Sequence, residues 1–438
     1  MADHIDKRRR SLRAFAGLTT VALLFAACSS STGSAAPSGG GGGAVTGSTS
    51  LGSNESDKVP KAAVASIIDY CATKTGVTTT INTSDHGKFQ DSISSYLQGT
   101  PDDIVKWFSG ERLKFFADPA KGLVTPIDDV WAKIGTNYAD AFAKASAGND
   151  GKKYFVPLLS YPWVVLYRKS LFTEKGYTVP KTIAEFKTLA TKMKADGLVP
   201  LAFGDKDGWP AMGTFDILNM RINGYQFHAD LLAGKEKWTD PKVEKVWKTW
   251  AELLPYFQDA PLGRTWQEAA QAWATKKAGM YFLGTFAGEQ VPAADKADVD
   301  FFPFPTLGTE FDKEQAVDAP IDGFMLSKAP KNLPQAKAIL ECIGTAEAQA
   351  AYLKGNENSI AAVKNADTSA YTPQQKKMAE IIGGAGAIAQ FLDRDTRADF
   401  AGPNGMQGLI QGFLKDPNQD LVALGKKIQG VYDSLPKQ

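Results

Sequence analysis

Between residues 58 and 110 the hydrophobic spacing switches repeatedly between the period of a helix and that of a strand, and this constrains the fold more than any other feature. Val64, Ile67, Ile68 and Cys71 fall at the spacing that gathers side chains on one helical face, so 58–74 reads as a helix. Gly76 ends it. Val77–Asn82 is rich in threonine and β-branched residues, which suit a strand. Phe89, Ile93 and Leu97 mark a second helix over 88–97, broken by Gly99, Thr100 and Pro101. Asp103–Phe108 is a short apolar run closed by Ser109 and Gly110, and it reads as a buried strand. Alternation of this kind is the signature of a doubly wound parallel sheet.

The alternation resumes further on with different connections. Tyr154–Tyr167 is β-rich but interrupted by Pro157 and Pro162. Phe186, Leu189, Ala190 and Met193 form the inward stripe of a helix over 181–195, and a strand follows at 197–203. Val243, Val246, Trp247, Trp250 and Leu254 are spaced for one helical face, which assigns Trp247 and Trp250 to the core. A helix over 266–273, strands at 279–284 and 299–304, an apolar run at Phe324–Leu326 and further helices complete the chain. No short-period repeat is present, which excludes solenoids and propellers.

The first 53 residues follow another logic. Lys7, Arg8, Arg9, Arg10 and Arg13 form a basic start, and Ala14–Ala27 is apolar apart from Thr19 and Thr20. This is the layout of a secretory signal over residues 1–27, and its apolar run is shorter than the roughly 20 residues a membrane span needs. Arg9-Arg10-Ser11-Leu12 touches the twin-arginine pattern, so both export routes stay open. The small residues Ala26 and Ala27 immediately before Cys28 resemble a bacterial lipobox, with Phe25 where leucine is usual. The resemblance implies diacylglycerol on the Cys28 thiol and a membrane link through that lipid. Residues 28–53 are mostly Ser, Gly, Thr, Ala and Pro and read as a tether, with a weak strand signal at 44–51.

Composition excludes several functions. The formal net charge is +1 over 438 residues and no stretch of the body is strongly basic, which argues against nucleic acid. With three histidines and no cysteine cluster, zinc has no ligand set, and Asp205 and Asp207 lack calcium-loop spacing, so no metal or cofactor is expected. There is no Gly-x-Ser-x-Gly elbow and no phosphate-binding loop. A glycosidase needs only two carboxylates, so a lipid-anchored hydrolase stays as an alternative. Cys71 and Cys342 remain once Cys28 is lipidated, and either a disulfide or two buried thiols accounts for them.

The order of elements resembles the extracytoplasmic solute-binding proteins of ABC importers, in the large sugar-binding branch typified by maltose-binding protein. Phe89-Gln90-Asp91-Ser92-Ile93 with Gly99–Val105 is similar to that family's first lobe helix and following strand. Tyr167-Arg168-Lys169-Ser170-Leu171-Phe172 resembles its Tyr-x-Lys-x-Leu-Phe segment. Lys277-Ala278-Gly279-Met280 followed by Gly284-Thr285-Phe286 resembles its Gly-Lys-Ala-Ala-Met … Gly-x-Trp, and Ile321-Asp322-Gly323 stands where Gly-Gly is frequent. Phe286 in place of Trp and Asp322 in place of Gly are departures at a ligand-facing corner. The resemblance implies a two-lobed periplasmic-binding-protein-like α/β fold, with two doubly wound sheets joined by a hinge the chain crosses several times. It implies a monomer that is not an enzyme, captures a sugar or oligosaccharide and delivers it to a membrane permease. A non-sugar solute such as a polyol or polyamine is the other binding alternative. The expected boundaries are 54–157 for the first part of lobe 1, 158–278 for lobe 2, 279–330 for a return to lobe 1, and 331–438 for helices mainly of lobe 2.

A sugar presents hydroxyls and flat C–H faces, so its site needs polar groups together with aromatic rings. Candidates sit where strands end: Asp85 and His86 after the second strand, Trp107 and Ser109 at the third, and Tyr161 and Trp163 at the supposed crossing. Asp205 and Trp209 lie in the loop Gly204–Pro210, and no helical stripe explains Trp209. Gly284, Phe286, Asp322 and Gly323 occupy the corner that the family resemblance marks. Asn358 interrupts a helical region, and Arg394 lies in Asp393-Arg394-Asp395, which also reads as a structural ion cluster. Trp107 reads equally as the end of a buried strand, and Trp266 and Trp273 as core.

Overall fold

A computed structural model describes residues 45–436. The leader, Cys28 and the tether up to residue 44 lie outside the described residues. The strands are β1 Gly47–Ser53, β2 Val77–Thr83, β3 Ile104–Phe108, β4 Val124–Thr125, β5 Phe155–Ser160, β6 Trp163–Arg168 and β7 Val199–Ala202. They continue with β8 Ala278–Gly284, β9 Val299–Phe302, β10 Val317–Asp318, β11 Ile321–Ser327, β12 Ile360–Ala361 and β13 Ile388–Ala389.

A first sheet of seven strands runs β12-β5-β11-β3-β1-β2, with β4 beside β11. Its parallel part, β2-β1-β3, is the alternation at residues 58–110. Helix Lys58–Thr75 turns Val64, Ile67, Ile68 and Cys71 inward and stops at Gly76 in the left-handed region. A second sheet runs β7-β8-β6-β9, with β7 and β8 parallel and β6 antiparallel to both its neighbours. Trp247, Trp250 and Trp273 are buried as their stripes require.

Strand β5 ends at Ser160 in the first sheet and β6 starts at Trp163 in the second, so the chain crosses at Tyr161-Pro162. Pro162 has no N–H to extend either ladder, which favours a break here. The chain returns through β10 and Pro320 to β11. Pro157 stays inside β5, and the register against β11 slips between Asp322 and Gly323. A Cβ on Gly323 would lie 2.1 Å from the Val156 carbonyl oxygen, so only glycine fits.

Several expected boundaries move. The first strand already begins at Gly47, with Leu51 fully buried between β2 and β3, so the tether cannot reach residue 53. Residues up to Ser160 belong to the first sheet, and β8 and β9 belong to the second, so the return comes at β11 rather than at 279. Helices Leu333–Ile343 and Ala346–Leu353 pack on helix Lys58–Thr75, beside the first sheet. Helices Met406–Lys415 and Leu421–Ser434 pack on Pro210–Asn223 and Pro241–Leu253, beside the second. Periodicity shows which helical face is buried but not which sheet covers it. Cys71 and Cys342 are joined by a disulfide, which ties two of these helices together.

Candidate functional site

The ends of β1, β3 and β11 face the ends of β6 and β8 across a cleft of about 870 Å³, counting the space at its mouth. Two walls of different chemistry line it.

The first-sheet wall is ionic. Lys106 on β3 is fully buried, with Nζ 2.6 Å from Glu55 Oε1 and 3.3 Å from Asp322 Oδ2. Burial pushes this ammonium down, but Asp322 and Glu55 outweigh it and hold it above its ordinary value. Arg394 Nη1 donates to Asp322 Oδ1 at 2.7 Å, and its Nη2 donates to Tyr161 Oη at 3.3 Å. Burial would raise the Asp322 carboxyl, yet Lys106 and Arg394 together hold it below the usual carboxylate range. Arg112 joins the row, with Nη1 2.8 Å from Asp393 Oδ2 and 2.8 Å from Gln90 Oε1. A buried charge must be paired, and each charge in this row has a partner of opposite sign.

The second-sheet wall is aromatic. Trp163 at the start of β6 stacks on Phe391 at 4.7 Å and meets Trp209 edge-on at 6.3 Å. Phe286 lies 6.0 Å from Trp209 and 5.2 Å from both Trp266 and Tyr161. Gly284 is the seat of this cluster, since a Cβ there would come within 2.4 Å of the Phe286 ring. Trp209 stands immediately before helix Pro210–Asn223 and is only partly buried, so its ring has a face to offer.

Eight of the expected residues line the cleft: His86, Tyr161, Trp163, Trp209, Phe286, Asp322, Asn358 and Arg394. Asp85 and Trp107 border the adjoining opening, which shares His86, Arg112, Trp209 and Trp266 with the cleft, and the remaining four lie behind its walls. Trp107 is 1 % exposed and packs among Phe89, Phe116 and the Arg112 guanidinium. The two-residue period of β3 puts Trp107 on one face and its neighbour Phe108 on the cleft. Ser109 is fully buried and its Oγ donates to Gln390 Oε1 at 3.0 Å, a tie between crossing segments. Asp85 is exposed and caps helix His86–Gln98 by accepting from Lys88 N. Asp205 is buried and accepts from Ala211 N at 2.9 Å, fixing the loop that carries Trp209. Burial pushes the Asp205 carboxyl up to about 7. Gly323 lies under β5 and Gly284 under Phe286, so both shape the wall from behind.

Glu55, Phe108, Arg112 and Glu289 line the cleft without having been singled out in the sequence, and Trp266 and Asp393, for which a structural role was the favoured expectation, line it too. Glu55 and Arg112 carry a usable signal, because each follows the carboxyl end of a parallel strand. Glu289 sits in the short helix Thr285–Gln290, three residues past Phe286, and has no local mark.

Residues 50–350 match the family model of bacterial extracellular solute-binding proteins. The solved structure of the bacterial solute receptor AcbH, described as having an exclusive preference for β-D-galactopyranose, is 48% identical. It superposes with a TM-score of 0.86 over 89% of this chain and 99% of that one. The α-glucosides-binding periplasmic protein AglE of Rhizobium meliloti is 25% identical over 84% of each chain. An uncharacterised ABC transporter extracellular-binding protein of Pyrococcus horikoshii is 28% identical over 65% of this chain, and the match spans 63% of that relative. A chitin oligosaccharide binding protein at 21% identity and a TM-score of 0.76 shares the fold.

Proposed function

The chain belongs to the bacterial extracellular solute-binding proteins, and we propose that it is the capture component of an ABC importer that takes a pyranose sugar between its two walls. The observation that carries this reading is that one cleft holds both a row of fixed charges and a cluster of aromatic rings. Charges of fixed orientation suit hydroxyls that donate and accept, and the rings suit the C–H face of a sugar. The likeness to AcbH makes a galactopyranose the first ligand to try. Tyr161-Pro162 and the return before β11 would serve as hinges, and ligand would shift the population towards a closed form by touching both walls.

The setting follows from the leader and tether. Cys28 would carry the lipid, residues 29–46 would give the body reach from the membrane, and the monomer would dock on its permease. No helix among the described residues is long and apolar enough to cross a membrane, so the anchor in this reading is the lipid. Calorimetric titration of the full chain against D-galactose, D-glucose and short oligosaccharides tests the reading. Saturable one-to-one binding of one sugar without product formation is expected. Turnover, or silence with every sugar, would overturn it.

A further inference from the structure

We propose that Glu289 recognises the ligand as a neutral carboxylic acid, keeping its proton in the cleft and donating it to an acceptor oxygen of the sugar. This rests on the sugar-binding reading and names one specificity-determining residue within it. Glu289 lines the cleft and, unlike Glu55, Asp322 and Asp393, has no cation within ion-pair distance among the described residues. Its charged and titratable surroundings are Glu55 and Asp57 from the segment after β1, Lys296 from the helix Ala293–Asp298, and Tyr352 from helix Ala346–Leu353. Glu55 already spends its charge on Lys106. Burial first, then the negative charges of Glu55 and Asp57, push the Glu289 carboxyl up to about 8, and the Asn356 hydrogen bond only partly offsets them.

The hydrogen bonds also say where the proton sits. Asn356 Oδ1 accepts from Asn358 N at 3.1 Å, which fixes the amide so that Nδ2 points to Glu289 Oε1 at 2.7 Å. An amide nitrogen donates and does not accept, so Oε1 is the acceptor and Oε2 carries the hydrogen. Oε2 makes no hydrogen bond among the described residues, so its O–H is free for a ligand. The partner this selects is a hydroxyl, ring or ether oxygen. A ligand ammonium would select the charged form instead.

The test is calorimetry on the full chain with D-galactose at pH 6.5 and pH 9, each in two buffers of different ionisation heat. Native protein is expected to bind without net proton exchange at pH 6.5 and to take up about one proton per sugar at pH 9. Its affinity should fall about tenfold per pH unit once the free carboxyl is ionised. Glu289→Gln retains an N–H donor and should lose both the proton uptake and the pH dependence. Binding by native protein with no uptake at pH 9, or with proton release, would overturn this inference alone, as would uptake that persists in Glu289→Gln. No binding of any sugar at pH 6.5 would overturn it together with the reading beneath it.

Discussion

The two walls of the cleft are built in opposite ways. On the first-sheet side, Glu55, Lys106, Asp322 and Arg394 come from four distant stretches of chain and lock one another in place. On the second-sheet side, Trp163, Trp209, Trp266 and Phe286 hold position by ring packing, and Trp209 and Phe286 keep part of their surface open. The polar wall is rigid because separating its charges would leave them buried and unpaired, whereas the partly open rings Trp209 and Phe286 can be truncated with less loss of buried packing. The difference assigns orientation of hydroxyls to the first wall and apolar contact area to the second.

The largest effect should come from breaking the ionic wall. Arg394→Ala leaves Asp322 and Tyr161 without their guanidinium and should cost about 3–5 kcal/mol of stability. Urea unfolding reads it, and an unchanged midpoint would mean that the wall is not held by charge pairing. A matched pair of tryptophans sharpens the contrast. Trp107→Ala empties a buried site and should cost about 3–5 kcal/mol of stability. Trp209→Ala should instead weaken sugar binding by about 1.5–3 kcal/mol with a smaller loss of stability. Reversed results would place Trp107, not Trp209, at the ligand.

The acids behind and within the walls should also separate by pH. Asp322 is held below its ordinary value, so its contribution to stability is present above about pH 4 and is lost as pH falls through the lower folded value. Asp205 is raised to about 7, so its contribution is greatest below about pH 4 and is lost as pH rises from there to about 7. Asp322→Asn should flatten the acid limb of a stability profile, and Asp205→Asn the limb above it. A profile that either variant leaves unaltered contradicts the corresponding assignment. The smallest effect is expected at Asp85→Ala, which removes a helix cap worth about 1 kcal/mol and should leave sugar affinity as it was. A lost affinity there would return Asp85 to the cleft.

The aromatic wall was far more legible in the sequence than the ionic one. Trp209 stood out because no helical stripe accounted for it, and Tyr161 and Trp163 because Pro162 broke a strand between the sheets. Helix 58–74 and strands β1 to β3 followed from hydrophobic period and turn residues alone. A strand end does not say which face its last residues occupy: Trp107 packs among core rings and borders the adjoining opening, while one residue on, Phe108 faces the cleft. The ionic wall was mostly hidden because its members meet only through tertiary contacts. Lys106 lies within an apolar run and Glu55 beside the tether, and no local pattern links either to Asp322 or Arg394. Of the helices after residue 331, expected mainly beside the second sheet, Leu333–Ile343 and Ala346–Leu353 pack beside the first for the same reason, and Met406–Lys415 and Leu421–Ser434 lie beside the second.

The most direct test of two walls acting on one ligand is a crystal structure of the protein with D-galactose. One pyranose is expected in the cleft, its C–H face on Trp209 or Phe286 and its hydroxyls within hydrogen-bond reach of the Asp322–Arg394 row. A sugar bound outside the cleft, or touching only one wall, would contradict joint action of the two walls.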